Sequence, residues 1–332
     1  MQRIESIKKW LETCYPGRSF SLESASADAS FRRYFRVLFA GENETAIVMD
    51  APPDKEDCRP WLHVQGLFSS AGAHVPAVIA QDLEQGFLLL SDLGNTTYLS
   101  ALDAGNADAL YGQATDALIG IQQASKAGLL PNYDRLRLTT EMELFPVWYL
   151  GRHKGVQLDA DQANTLYGVF DRILDVNLAE PQVFVHRDYH ARNLMLSSPN
   201  PGIVDFQDAV HGPISYDLVS LFKDAYIHWE EERTLDWLIR YWDKARRAGL
   251  PVRADFAEFH RDYEFMGAQR HLKVLGIFAR LYHRDGKDGY LKDLPLVLTY
   301  LRRTAERYRE LHPLARLLDK VEGARAEVGY TF

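Results

Sequence analysis

Val183-Phe-Val-His-Arg-Asp-Tyr-His-Ala-Arg-Asn-Leu-Met195 and, a short distance on, Gly202-Ile-Val-Asp-Phe-Gln-Asp208 are the two stretches that decide how this chain folds. The apolar run 183–185 predicts a buried strand, and the polar residues after it predict a loop at the strand's end. Two further apolar runs, 194–196 and 202–204, flank Pro199-Asn-Pro201 and predict a short hairpin. Strand ends therefore carry three polar side chains: Asp188, Asn193 five residues later, and Asp205 seventeen residues after Asp188.

A carboxylate projecting from a loop can accept a hydrogen bond from an attacking hydroxyl and take its proton. Neutral and charged oxygen donors such as Asn193 and Asp205 suit Mg²⁺, which keeps water and phosphate oxygens for its remaining positions. His-x-Asp-x-x-x-x-Asn followed by a strand ending in Asp-Phe is the two-part signature of kinase-type phosphoryl transfer, a reaction that asks mainly for positioning and charge neutralisation. Asp188 is accordingly assigned as catalytic base, Asn193 and Asp205 as metal ligands, with ATP and Mg²⁺ as the expected cofactors. His186 is expected to support the loop by bonding to backbone. Asp217 falls in the first turn of a helix, where the dipole favours an acid, and is expected to turn inward and hold the loop.

With these motifs the chain resembles the aminoglycoside phosphotransferase and choline kinase superfamily. Within it, Ser24 to Arg36, Val204 to Asp217, Leu221-Phe-Lys-Asp-Ala225 and Gly267 to Arg280 are most similar to the bacterial anomeric N-acetylmuramate/N-acetylglucosamine kinases of cell-wall recycling. The resemblance implies an α+β, two-lobed, protein-kinase-like fold, with an antiparallel-sheet N-lobe over residues 1–92 and a mainly helical C-lobe over residues 93–332. It also implies ATP-dependent phosphorylation of the C1 hydroxyl of an amino sugar. Lys223 is a candidate substrate residue through the same resemblance.

The N-terminal third reads as strands at 31–39, 45–50, 77–81 and 87–90, with a helix over 57–71. Ser91, Asp92 and Leu93 form the expected hinge, where backbone groups bind adenine. No G-x-G-x-x-G loop occurs; Ser24 to Ser30 is read as a small-residue loop whose N–H groups and hydroxyls, Ser30 included, approach phosphate. The strand 45–50 has no lysine, so Arg32 and Arg33 are the candidates to neutralise phosphate. A P-loop is excluded, since G-x-x-x-x-G-K-[S/T] is absent.

Helical rhythm dominates the rest, at 108–124, 161–177, 230–248, 255–282 and 294–311. Arg270, Lys273, Arg280 and Arg284 fall within about 80° of one helix face and read either as a solvated stripe or as contacts for an anionic substrate group. His190 and Arg192, inside the catalytic loop, can reach phosphate or substrate. The segment after Asp205 is too short for a protein-kinase activation region, which favours a small-molecule acceptor. A basic stripe fits polycationic aminoglycosides poorly, although a phosphotransferase for another alcohol such as an aminoglycoside or choline, and a nucleotide-binding scaffold, stay open as alternatives.

A formal charge of −8 with a pI near 5.8 argues against nucleic acid as partner. Cys14 and Cys58 form no CxxC, the N-terminus has no signal-peptide pattern, and no apolar run is long enough to span a bilayer; a cytoplasmic protein with a small sugar substrate is expected.

Overall fold

The computed structural model describes residues 2–27 and 31–322. Near its start, α1 (Gln2–Cys14) precedes β1 (Phe20–Ala27), β2 (Arg33–Phe39) and β3 (Thr45–Asp50). After α2 (Cys58–Ser70) come β4 (Val78–Asp82) and β5 (Phe87–Ser91), completing an antiparallel sheet of order β1-β2-β3-β5-β4. Period-two alternation explains its two faces. Val37 and Phe39, Ala46 and Val48, and Phe87 and Leu89 bury against Ile7 and Leu11 of α1. Fully burying each larger side chain contributes about 1.5–3 kcal/mol. The alternate positions, among them Tyr34, Arg36, Ile47 and Leu90, line a cavity on the other face.

Residues 24–27, read from the sequence as loop, belong to β1 and pair with β2, with a bulge between Ser24 and Ser26. Serine and alanine have neither the bulk nor the branching that marks a strand, so only the pairing partner reveals it.

The chain divides into two units: Met1–Ala124 with Arg192–Asp208, and Ser125–Ala191 with the chain from Ala209 onward. This differs from a division at residue 92. The short α3 (Tyr98–Ala101) and α4 (Ala107–Gln123) join the first unit because Asn200, beside the hairpin β7 (Leu194–Met195) and β8 (Gly202–Ile203), bonds Tyr98 Oη at 2.7 Å and Gln113. The N–H of Leu196 likewise donates to Thr96 O at 2.8 Å.

In the second unit α5 (Arg135–Met142), a π-helix (Phe145–His153) and α6 (Ala160–Leu178) precede β6 (Gln182–Val185), which pairs antiparallel with β9 (Val210–Pro213). Then come α7 (Tyr216–Phe222), α8 (Glu231–Arg247), α9 (Phe256–Asp285), α10 (Leu294–Arg307) and α11 (His312–Glu322). Asp255 caps α9 by accepting from Ala257 N at 2.6 Å, and Gly286, in the left-handed region at φ +67°, ends it. Between those caps α9 is buried on nearly every side from Phe259 to Ala279, enclosed by α5, α6, α7, α10 and the π-helix. The helix expected over 294–311 stops at Arg307, because Tyr308 is extended; a 3₁₀ turn at Arg309–Leu311 leads into α11. No helix among the described residues is long and apolar enough to cross a membrane. Both cysteines are free thiols.

Candidate active site

In the second unit, β6 delivers the chain to His186, fully buried. The N–H groups of His186 and Arg187 donate to Asp217 Oδ2 at 2.7 Å and Oδ1 at 3.0 Å. Arg187 is left-handed at φ +76°, a costly conformation for a residue with a Cβ, and the carboxylate that grips both amides holds it there. Asp217 is completely buried; burial pushes its carboxyl up, to about 7, against the pull of the two amides and Arg270. His186 Nδ1 accepts from the N–H of Asp188 at 3.2 Å, which places the proton of a neutral ring on Nε2. Asp224 Oδ2 accepts from Ala191 N at 3.0 Å, so two aspartates at either end of α7 hold the loop's backbone. Asp217 and His186 stand where the sequence expects support; Asp224 is a residue that sequence reasoning missed.

Basic groups surround Asp188. Arg270 Nη1 lies 3.7 Å from Asp188 Oδ1 and also donates to Arg187 O at 3.0 Å and Tyr216 Oη at 3.2 Å. Lys273 Nζ donates to Tyr216 Oη at 3.0 Å and pairs with Glu141 Oε1 at 3.2 Å. Glu141 also accepts from Arg187 Nη2 at 2.5 Å, from Gln269 Nε2 at 3.2 Å and from Tyr133 Oη. Burial pushes the Asp188 carboxyl up, but Lys273, Arg270, His190 and Arg187 together outweigh it and hold it well below the usual carboxylate range. Asp188 is therefore ionised at neutral pH, and its side chain is 40% exposed, open to an incoming hydroxyl. Half of the expected basic stripe, Arg270 and Lys273, is thus buried beside Asp188, each 6% exposed.

The other expected substrate residues are scattered. His190 packs edge-on against Tyr226 with ring centroids 5.5 Å apart. Lys223 is turned away into an ion pair, its Nζ 2.6 Å from Glu264 Oε1, which takes it out of the substrate set. Arg284 is exposed and pairs with Asp285 at 2.7 Å, while Arg280 is half-buried one turn earlier on α9.

In the first unit a cavity of about 480 Å³ is lined by the hinge, Ser91 to Asn95, together with Arg36, Trp61, Arg192, Asn193 and Asp205. The hinge side chains face protein. Asp92 accepts from Arg36 Nε at 2.6 Å, Thr45 Oγ1 at 2.8 Å and Gly94 N at 2.9 Å, and Ser91 Oγ accepts from Ala77 N at 2.9 Å. The Ser91 and Asp92 side chains are thus engaged by protein, and Leu93 adds an apolar wall to the cavity. Neither Arg32 nor Arg33 lines the cavity; Arg33 joins Arg3 on the buried Asp50. Ser30 lies outside the described residues. The cations that do line the cavity are Arg36, which sequence reasoning missed, and Arg192.

Asn193 Nδ2 stands 3.3 Å from Asp205 Oδ2, and Gln207 Nε2 donates to Asp205 Oδ1 at 2.8 Å. Asp205 is left-handed at φ +62°, a costly conformation for a residue with a Cβ. An asparagine, which carries one amide oxygen, next to a carboxylate at a cavity wall offers hard oxygen donors of the kind that suit Mg²⁺. Phe206 packs on Trp61 and Phe68 of α2, at 5.0 and 5.9 Å between centroids. Residues 58–70 of α2 include no acid, so the missing strand lysine is matched by a missing helix glutamate.

Residues 21–256 match the phosphotransferase enzyme family. The N-acetylmuramate/N-acetylglucosamine kinase of Neisseria meningitidis is 50% identical, over 100% of both chains. The kinase of the same name from Pseudomonas aeruginosa is 50% identical over 98% of both. Choline kinase from Streptococcus pneumoniae shares the fold, with a TM-score of 0.63 over 90% of this chain and 99% of its own at 14% identity. The chain belongs to the phosphotransferase enzyme family, alongside the N-acetylmuramate/N-acetylglucosamine kinases.

Proposed function

We propose that this protein is an ATP-dependent kinase that phosphorylates the anomeric C1 hydroxyl of N-acetylmuramate and N-acetylglucosamine, giving sugar 1-phosphates in the salvage of cell-wall sugars. The observation that carries the reading is end-to-end similarity, at 50% identity, to kinases named for those two sugars.

In this reading the hinge backbone and Leu93 receive the adenine. Asn193 and Asp205 hold Mg²⁺, which supplies charge neutralisation on the polyphosphate when bound. Asp188 accepts a hydrogen bond from the C1 hydroxyl and takes its proton as the O–P bond forms and ADP departs. A strongly acidic conjugate acid is a weak base, and an anomeric hydroxyl, more acidic than an ordinary alcohol, suits it. Arg192, which lines the cavity, meets phosphate in this reading. The reaction belongs in the cytoplasm, where ATP is supplied.

The test is Mg²⁺/ATP turnover on N-acetylmuramate, N-acetylglucosamine, kanamycin and choline, with phosphorus NMR to locate the new ester. A sugar 1-phosphate is expected; transfer only to kanamycin or choline, or a phosphate at C6, overturns the reading.

A further inference from the structure

The two sugars differ in one charged group: N-acetylmuramate carries a lactyl carboxylate on C3, and N-acetylglucosamine a plain hydroxyl. Discrimination between them requires a cation within a sugar's reach of Asp188 that is not already neutralised by protein. Arg270 and Lys273 do not qualify, because Tyr216, Glu141 and Asp188 itself engage them.

α9 continues past them as one unbroken helix to Asp285. Arg280 lies seven residues beyond Lys273, about 10 Å along the axis and rotated by only about 20° from it. A hexose with its C1 hydroxyl at Asp188 and its lactyl arm extended covers such a span. Two elements pack beside this part of α9. On one side the π-helix segment presses against Gly276, where an added Cβ would meet Leu144 backbone at 2.4 Å. On the other, Tyr226 packs tilted against Phe278 with ring centroids 6.1 Å apart and also meets His190 edge-on. Between them Ile277 and Arg280 are half-buried and Arg284 is exposed.

Arg280 differs from its neighbours in having no carboxylate bonded to it among the described residues. Its Nε is buried with no hydrogen-bond partner. Arg284, one turn on, spends both Nε and Nη2 on Asp285, at 2.7 and 2.9 Å. Burial and the nearby Arg284 lower the Arg280 guanidinium's pKa from its ordinary value against the opposing pull of Asp285, whose carboxylate bonds Arg284 instead. A buried N–H without an acceptor costs free energy unless a ligand completes it, and the side of a guanidinium that presents Nε and one Nη matches a carboxylate in bidentate fashion.

We infer that Arg280 binds the lactyl carboxylate of N-acetylmuramate and is the residue by which the enzyme distinguishes the acidic amino sugar from the neutral one. This rests on the function proposed above.

The experiment compares wild type and Arg280→Met on N-acetylmuramate, its methyl ester and N-acetylglucosamine. The ratio of kcat/KM for N-acetylmuramate to that for N-acetylglucosamine falls about 10- to 100-fold in the variant, the range for one charge-assisted hydrogen-bonded pair, with the change in KM. The wild-type preference for the acid over its ester collapses in parallel. If both sugars are substrates of the wild type and the ratio is unchanged in the variant, the carboxylate site is refuted while the kinase reading stands. If the wild type phosphorylates neither sugar, the kinase reading falls and this site with it.

Discussion

Glu141 is the anion that neutralises the cations behind Asp188, and Glu141→Gln removes its charge while keeping its shape. Burial raises the carboxyl, but Lys273 and Arg187 pull it down further, to about 2 against an ordinary 4.5. Linkage converts that difference into about 3 kcal/mol of stability at pH 7, to order of magnitude. Truncating one partner of a buried ion pair gives a similar loss of about 3–5 kcal/mol. Because the folded value is depressed, the contribution is present above about pH 4.5 and lost as pH falls towards 2. Equilibrium urea unfolding of wild type and Glu141→Gln at pH 7 and pH 3.5 reads this directly: the gap is about 3 kcal/mol at the first and about 2 kcal/mol at the second. A gap below about 1 kcal/mol at pH 7, or one equal at both pH values, refutes the account of Glu141 as a charge hub.

Three further outcomes follow from the geometry. Asp188→Asn loses about 10²- to 10⁴-fold in kcat with nucleotide affinity retained, checked by steady-state kinetics beside ATP titration; full activity refutes its role as base. Asp205→Ala abolishes Mg²⁺-dependent turnover and weakens MgATP binding more than binding of metal-free nucleotide, measured by calorimetry with and without EDTA. Arg36→Met releases Asp92, and since the pair is partly buried the hinge loses about 1–3 kcal/mol of support, read as a roughly 10-fold weaker ATP Kd; unchanged affinity means the hinge holds its shape without that pair.

What was legible in the sequence was the family pattern carried by neighbours along the chain. Asp188 and Asn193 sit on one loop, and Asp205 follows one hairpin later, so their spacing alone announces them. Asp217 could be read either as a plain helix-terminus acid or as an inward support, and its carboxylate accepts from the N–H groups of His186 and Arg187. Glu141, by contrast, acts on Arg187 from 46 residues away, and Arg36 braces Asp92 across 56 residues. No periodicity links such partners; only the folded sheet and helices bring them together. The same limit explains Arg33, which looks suited to phosphate in the sequence but meets Asp50 on the adjacent strand. Lys223 is likewise claimed by Glu264, on a helix 41 residues later. The stripe on α9 was legible as a face, yet its division into two buried cations and two outer ones depends on what packs against each turn.

The aromatic contact between Phe206 and α2 has a bearing on control. Where a helix is tied to a phosphate site by a lysine–glutamate pair, competing charge, a phosphorylated neighbour or a shift of pH can undo the tie and switch the enzyme off. Rings packed on rings have no counter-ion to lose and no proton to exchange, and the apolar surface they bury separates no more readily at high salt. Trp61 and Phe68 therefore fasten the turn that carries Asp205 in a way that electrostatic signals cannot reach.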